Sequence, residues 1–316
     1  MSCTSQNMIR RTIDGVNQFA GPFKYGLIYK NKLPGVEFYP VPCGSCNYCK
    51  LKKAKLWAAR CTLEATNWKY NYFITLTYDD EHLPLIDNYD HKLGSLEKRS
   101  NLQVRDLQLF FKRFRKLGYK LKYLASGEYG TQTERAHYHL IVFTDRPLQL
   151  KYYKLNENQD ILYTSETISK LWPYGFNVVA EFSPATAAYV ARYTLKKQLK
   201  QNYSFQKQNY KQEFLLCSRG IGFSNILNNI KNIADNKYIS YSFQNNVQYM
   251  QVWNYAIKKL EELGYEKEAL ELTSFYRAKA ARVNKVNNIG YQNWVNKNDN
   301  LKYLFWLKSK KLNTKL

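Results

Sequence analysis

The sequence predicts an α+β protein in which helices pack on a central antiparallel sheet. Within residues 67–200, strand-like and helix-like segments follow one another, and the predicted strands outnumber the helices. The links between them are a mixture of short turns and longer crossovers. Runs of β-branched and aromatic residues mark the strands, and apolar residues at helical spacing mark the helices. This combination favours one sheet with helices against it.

The chain of 316 residues is long enough for about two domains with a core. We divide it into three parts and find no internal repeat. Residues 1–66 hold a cysteine cluster and most of a helix-like stretch from about residue 50 to 68. Residues 67–200 form the predicted sheet domain. Residues 201–316 are polar and basic, and we expect a largely helical C-terminal region.

Local patterns predict the elements of the sheet domain in order. Strands are expected at 73–78, 122–128, 136–143 and 176–182, and the turn 130–135 joins the second and third as a hairpin. A polar loop rich in Asp, His and Lys follows the first strand. Helical spacing marks Leu107, Phe110, Phe111, Phe114 and Leu117, and Gly118 closes that helix.

Two further helices are predicted from their end signals. Ser165 and Glu166 open a short helix that ends at Trp172. Ser183 is a good N-cap, and Pro184 suits the first position of a helix that runs to about residue 198.

The composition favours a nucleic-acid partner. The formal net charge is +23, which attracts polyanions. No apolar run approaches the ~18 residues that a membrane span needs, and the N-terminus lacks an apolar signal core, so we expect no membrane partner. Six cysteines in a chain of this length without a secretory signal indicate a reducing cytoplasm.

The triplet His137-Tyr138-His139 is a candidate metal site. Residues two apart on a strand share a face, so both imidazoles project together and can bind a divalent ion. Glu128 ends the partner strand of the hairpin, and a short turn would bring it across from the histidines as a third ligand. The alternative is a pair of structural histidines near a sheet end.

Tyr189 and Tyr193 are candidate nucleophiles. They are four residues apart on the predicted helix and therefore neighbours on one face. A phenol has a pKa of about 10, so attack on a phosphate needs a cation that stabilises the phenoxide. Arg192, Lys196 or the metal ion would supply that charge. The alternative is that both tyrosines simply pack against the sheet. Beside the histidine pair, they indicate an enzyme that cuts one DNA strand and later rejoins it.

Cys43, Cys46 and Cys49 form a C-x-x-C-x-x-C spacing that suits a zinc knuckle. A tetrahedral site needs a fourth ligand. Cys61 lies twelve residues beyond Cys49, about 18 Å along a continuous helix, and is a poor candidate. We therefore favour Cys3 as the fourth ligand of a structural Zn²⁺. The alternatives are three reduced thiols before a helix, or an iron–sulfur cluster.

Three segments, 73–78, 137–139 and 189–193, resemble in order the three motifs of HUH endonucleases that initiate rolling-circle replication. More closely, the chain resembles the replication initiation proteins of gokushovirus-type single-stranded DNA phages. That resemblance also includes 42–49, 57–61, 182–186 and 214–222, and it covers roughly residues 1–225. Many such relatives carry Lys where this chain has Arg192. Arginine keeps the charge but does not give up a proton, so Lys196 is the better candidate acid.

The resemblance implies an HUH fold, which is RRM-like, and an origin nickase of an infected bacterial cell. Glu128, His137 and His139 would then bind Mg²⁺ or Mn²⁺. Tyr189 or Tyr193 would join the 5′ phosphate of cut origin DNA, single- or double-stranded, and later circularise the displaced strand. A host helicase and DNA polymerase are the implied partners. Two alternatives stay open: a plasmid or transposon nickase of the same superfamily, and a non-catalytic basic protein that binds or packages single-stranded DNA.

Overall fold

The computed structural model describes residues 7–11, 17–22, 37–44, 46–90, 95–130, 133–196, 211–243 and 246–286. The strands are β1 (Asn7–Arg11), β2 (Asn17–Pro22), β3 (Glu37–Val41), β4 (Tyr70–Thr77), β5 (Leu85–Asp90), β6 (Ser95–Ser100), β7 (Leu121–Tyr129), β8 (Ala136–Thr144), β9 (Leu150–Leu155), β10 (Ile161–Ser165), β11 (Asn177–Glu181), β12 (Phe214–Cys217), β13 (Ile239–Phe243) and β14 (Asn246–Met250). The helices are α1 (Asn47–Ala65), α2 (Val104–Lys116), α3 (Glu166–Leu171), α4 (Pro184–Lys196), α5 (Phe223–Asn228), α6 (Ile230–Asn236), α7 (Asn254–Glu262) and α8 (Glu266–Val286).

The chain forms two compact units, Met1–Lys53 with Ala269–Leu316, and Ala54–Glu268. Within the first unit, β1 lies between β2 and β3 in a three-stranded antiparallel sheet. The second unit contains a seven-stranded sheet in the order β12-β7-β8-β4-β11-β10-β9. Every neighbouring pair in it is antiparallel. The expected α+β class with a central antiparallel sheet is therefore confirmed.

Helices cover both faces of the seven-stranded sheet. On one face, the phenylalanines of α2 pack with α3 against alternate residues of β4 and β8, among them Leu76, Tyr138 and Leu140. On the other face, Ala187 and Val190 of α4 and residues 57–61 of α1 pack against Phe73, Ile141 and Phe143. Side chains alternate between the faces of a strand, so the histidines beside Tyr138 lie on the α4 face.

Most predicted elements lie where the sequence placed them, but two exposed hairpins do not. The polar loop predicted after residue 78 is wrong over β5 and β6, which pair as a separate two-stranded sheet. The hairpin of β9 and β10 was not predicted, and every residue of β9 is exposed. Strands that bury neither face lack the alternation of apolar and polar residues that reveals a strand. No helix among the described residues is both long and apolar enough to cross a membrane.

Candidate metal and nucleophile site

The hairpin of β7 and β8 brings the three predicted ligands together. Glu128 lies directly opposite His137, and Ser126 lies opposite His139. The turn closes through a hydrogen bond from the Gly130 amide to the Arg135 carbonyl, 3.0 Å long. Directly opposed residues share a sheet face, so the carboxylate and both imidazoles meet on the α4 side.

The ligand atoms converge on one point. Glu128 Oε1 lies 3.0 Å from His137 Nε2 and 2.5 Å from His139 Nε2. One ligand atom from each of the three residues lies within 4.8 Å of the others. Two imidazole nitrogens and one carboxylate oxygen form a donor set that suits a divalent transition metal or a harder cation. The structure thus assembles the predicted set without further rearrangement of the backbone.

The outer nitrogens of both rings are held by the sheet. His137 Nδ1 lies 3.0 Å from the Arg135 carbonyl oxygen, which only accepts, so Nδ1 is the donor. The Nε2 lone pair then faces Glu128. His139 Nδ1 lies 2.9 Å from the Thr75 hydroxyl, and Thr75 is its cross-strand neighbour on β4. Such outer contacts orient the imidazoles of metal sites and fix their tautomers.

The electrostatics favour a charged carboxylate beside neutral imidazoles. Glu128 is 1% exposed. Burial raises the pKa of Glu128, but hydrogen bonds from His137 and His139 outweigh it and leave that pKa below the ordinary value. Burial lowers the pKa of His139, even though Glu128 opposes that effect. Within the described residues, Glu128 Oε2 has no hydrogen-bond partner. A buried oxygen of this kind is available to a cation.

The tyrosine helix α4 is fixed at its start as the sequence predicts. The Thr186 amide donates to Ser183 Oγ over 3.1 Å, and the Ser183 amide donates to Thr186 Oγ1 over 3.0 Å. Ala187, Val190 and Ala191 bury one face of the helix. The predicted N-cap is confirmed, and the buried face determines which way Tyr189 points.

Tyr189 lies against the histidine pair. Its ring meets the His139 ring edge to face, with centroids 5.2 Å apart and an interplanar angle of 83°. Phe73 stacks on His139 from another side, with centroids 5.6 Å apart. The structure therefore brings Tyr189 to the ligand set. For Arg192, Tyr193 and Lys196, it describes only their backbone in α4.

The cysteine cluster belongs to the other unit. One sulfur atom from each of Cys43, Cys46 and Cys49 lies within 4.8 Å of the others. The Cys46 amide donates to Cys43 Sγ over 3.3 Å, and α1 begins at the next residue. The fourth predicted ligand, Cys3, lies outside the described residues. Cys61 is fully buried in the core under the sheet.

Sequence reasoning missed the residues that support the site. Phe73 and Thr75 lie within a predicted strand, but their contact with His139 depends on the pairing of β4 with β8. Glu64 was also missed. It is buried on α1 and accepts hydrogen bonds from the Gly222 amide at 2.7 Å and from Lys122 Nζ at 3.1 Å. No local pattern in the sequence reveals either contact.

A third bond to Glu64 comes from Trp68 Nε1, 2.7 Å away. Nearby, Arg60 Nε donates to the Ile221 carbonyl over 3.1 Å, and its guanidinium lies 4.0 Å from the Trp57 ring centroid. These contacts dock the loop before α5 onto α1. They explain why 57–61 and 214–222 both belong with the resemblance, although neither segment contributes a ligand.

Comparisons with known proteins identify the class. Residues 71–198 match the family model described for the replication-associated protein ORF2. That stretch holds nearly all of β4, the histidine hairpin and α4. The chain is 32% identical to replication-associated protein ORF2 of Spiroplasma virus 4 over 244 residues, which are 77% of this chain and 74% of that protein.

Two further relatives match shorter stretches. Replication-associated protein VP4 of Bdellovibrio phage phiMH2K is 36% identical over 182 residues, 54% of this chain and 53% of that protein. Replication-associated protein ORF4 of Chlamydia phage 1 is 35% identical over 169 residues, 50% of this chain and 39% of that protein. No solved structure matches. The chain belongs to the family of microvirus replication-associated proteins.

Proposed function

We propose that the protein initiates rolling-circle replication by nicking one strand of the viral origin and later rejoining the displaced strand. The observation that carries this proposal is the contact of the Tyr189 ring with His139, whose Nε2 converges with that of His137 on buried Glu128. A candidate nucleophile thus lies beside a candidate phosphate-binding ion. The family membership supports a role in viral replication, and the antiparallel sheet is compatible with an HUH fold.

The residues present fit a divalent cation. Three ligand atoms converge, and the outer nitrogens of both histidines are occupied. Glu128 Oε2, unpaired within the described part of the chain, offers a further oxygen. Glu128, His137 and His139 would hold Mg²⁺ or Mn²⁺. When bound, the ion supplies positive charge beside the scissile phosphate and offsets charge in the transition state.

The chemistry itself belongs to the tyrosines. The phenolic oxygen of Tyr189 or Tyr193, after loss of its proton, attacks the phosphorus, and the bond from phosphorus to the 3′ oxygen breaks. The 3′ oxygen takes up a proton and becomes the primer for a host polymerase, working with a host helicase. The 5′ phosphate stays on the tyrosine. Arg192 or Lys196 stabilises the phenoxide by charge, and Lys196 is able to return a proton.

Two tyrosines allow the cycle to close without another energy source. The phosphotyrosine bond replaces the broken phosphodiester, so attack by a free 3′ hydroxyl rejoins the strand and frees the tyrosine. One tyrosine holds the first adduct while the other cuts the regenerated origin. Tyr189 and Tyr193 lie one turn apart on α4, about 6 Å along the axis, so both can reach one phosphate in successive rounds.

The test uses 3′-labelled single-stranded oligonucleotides that tile the viral genome, incubated with the protein and Mg²⁺ or Mn²⁺. Wild-type protein should give a labelled band that resists denaturation. Tyr189→Phe and Tyr193→Phe should each still form some adduct, and the double variant none. Tyr249→Phe, on exposed β14, is the matched control and should behave as wild type. An adduct formed by the double variant would place the nucleophile elsewhere. No adduct with any oligonucleotide would favour a binding or packaging protein.

A structural zinc ion is the second part of the proposal. Cys43, Cys46 and Cys49 converge before α1, and Cys3 would complete four thiolates. A closed site of this kind leaves no open position for substrate, so the ion would stabilise the N-terminal unit and take no part in strand cleavage.

A further inference from the structure

An exposed aromatic pair lies on the seven-stranded sheet away from its core. Phe176 and Tyr153 are 45% and 44% exposed, and their ring centroids are 5.4 Å apart. Lys154 Nζ lies 5.4 Å from the centre of the Tyr153 ring. Large aromatic side chains that stay open to solvent beside a cation indicate a binding surface more often than scattered single residues do.

The strand register connects this pair to the histidine site. Phe176 and Thr77 exchange both backbone hydrogen bonds, 3.0 and 3.1 Å long, and Thr77 lies opposite His137. Directly opposed residues share a face, and neighbouring strands are about 4.8 Å apart. Phe176 therefore lies on the same face as His137, about 10 Å from it. Tyr153 follows, in ring contact with Phe176.

The backbone before Phe176 is held in place. Gly175 has φ +151°, and a Cβ there would collide with the Thr77 carbonyl oxygen and lie 2.5 Å from the Asp79 amide nitrogen. Asp79 also donates its amide to the Tyr174 carbonyl over 2.9 Å. Glycine lets the segment lie directly on the end of β4. The Phe176 ring is thus presented by a fixed backbone, which lowers the entropy cost of binding.

The chemistry of the surface selects its ligand. Unpaired bases stack on aromatic rings with little regard to sequence, and lysines beside those rings neutralise phosphates. Lys151 and Lys154 flank Tyr152 and Tyr153 along the exposed edge strand β9. A protein partner would need a larger apolar patch without these charges at its centre.

We propose that single-stranded DNA leaving the histidine site crosses the sheet and stacks its bases on Phe176 and Tyr153, with Lys154 at the backbone. The inference rests on the proposed function for its polarity, because the histidine site marks the cut. At a stacked rise of about 3.4 Å, the aromatic pair lies about three nucleotides from the scissile phosphate.

The test measures binding of fluorescein-labelled oligo(dT) by anisotropy at fixed salt. Phe176→Ala with Tyr153→Ala should weaken binding by roughly ten-fold or more, and Phe176→Tyr with Tyr153→Phe should retain it. Tyr152→Ala is the matched control. Tyr152 is 61% exposed on the same strand, but it lies opposite Tyr163, which packs with the core on the other face. That variant should bind as wild type.

The outcomes separate this inference from the proposed function. If wild-type protein forms the covalent adduct but the double alanine variant binds oligo(dT) unchanged, the surface is wrong and the nickase stands. If binding falls as expected but no adduct forms with wild type, the nickase fails and the surface stands. A change in sedimentation without a change in oligo(dT) binding would assign the surface to a second copy of the chain. Tyr153→Ala alone, on an exposed edge strand, decides the matter if Phe176→Ala does not fold.

Discussion

Tyr189 and His139 meet edge to face, and this contact joins the tyrosine helix to the histidine hairpin. The two rings have centroids 5.2 Å apart, and Phe73 contacts both of them. His139 is thereby held by an aromatic ring on two sides, by Glu128 at Nε2 and by Thr75 at Nδ1. A ring restrained in this way can move little, so the position of the candidate ion and that of the candidate nucleophile are set by the same residue.

Removing both histidines should abolish strand cleavage and spare DNA binding. In His137→Ala with His139→Ala, the candidate ion loses two of its three protein ligands, so adduct formation should fall by roughly a hundred-fold or more. Salt-sensitive binding to oligo(dT) should stay near the wild-type value, because phosphate contacts elsewhere supply it. His82→Ala, at an exposed histidine, is the control. Undiminished cleavage by the double variant would remove the metal from the mechanism.

Thr75 should act as a positioning residue for His139. Replacing it with valine keeps the shape but removes the hydroxyl 2.9 Å from Nδ1, so the ring loses its preferred orientation and tautomer. Affinity for Mn²⁺, measured by titration calorimetry, should fall about ten- to a hundred-fold, and Thr75→Ser should restore it. Thr62→Val, whose hydroxyl donates to the Ala58 carbonyl, is the control. Equal Mn²⁺ affinity in Thr75→Val and wild type would argue against this role.

The cysteine cluster should carry about one zinc ion per chain in freshly purified protein. Elemental analysis is the measurement, and Cys46→Ser should lose most of the metal together with thermal stability, because a structural zinc site contributes directly to folding. Cys217→Ser is the matched control, since that cysteine is exposed and lies outside the cluster. Wild-type protein without zinc would count against the site, and iron in its place would indicate a cluster.

Glu64 should be the most sensitive carboxylate for folding outside the metal site. Glu64→Ala removes the acceptor for Gly222, Trp68 and Lys122, and leaves buried donors unpaired. The free energy of unfolding, from urea denaturation, should fall by about 3–5 kcal/mol. Glu166→Ala breaks an exposed ion pair with Lys170 and should leave the midpoint unchanged. Equal effects of the two substitutions would show that the docked loop adds little to stability.

Local patterns in the sequence were sufficient for the hairpin and for the tyrosine helix. The turn 130–135 is short, so only one register brings β7 against β8, and Glu128 follows from it. The N-cap at Ser183 is equally local. By contrast, Thr75 meets His139 through the pairing of β4 with β8, which are separated by more than fifty residues in sequence. Such a register depends on packing of the whole sheet, and no short pattern encodes it.

The exposed hairpins were missed for a different reason. β5, β6 and β9 bury little, so their sequences carry charged and polar residues where a buried strand would alternate. Their formation depends on backbone pairing with a neighbour. Phe176 was noticed only as the start of a strand, because nothing in the sequence says that its ring stays open to solvent beside Tyr153.

The open edge of the sheet has a consequence for how the protein behaves before it meets DNA. β9 is the last strand of its sheet, and its outer amides and carbonyls face no further strand of that sheet. Edges of this kind recruit strands from other molecules and seed aggregates, and lysines along them oppose that pairing by mutual repulsion. Lys151 and Lys154 would therefore keep copies of the chain apart at high concentration in an infected cell. Neutralising both should make the purified protein precipitate at concentrations where wild type stays dispersed.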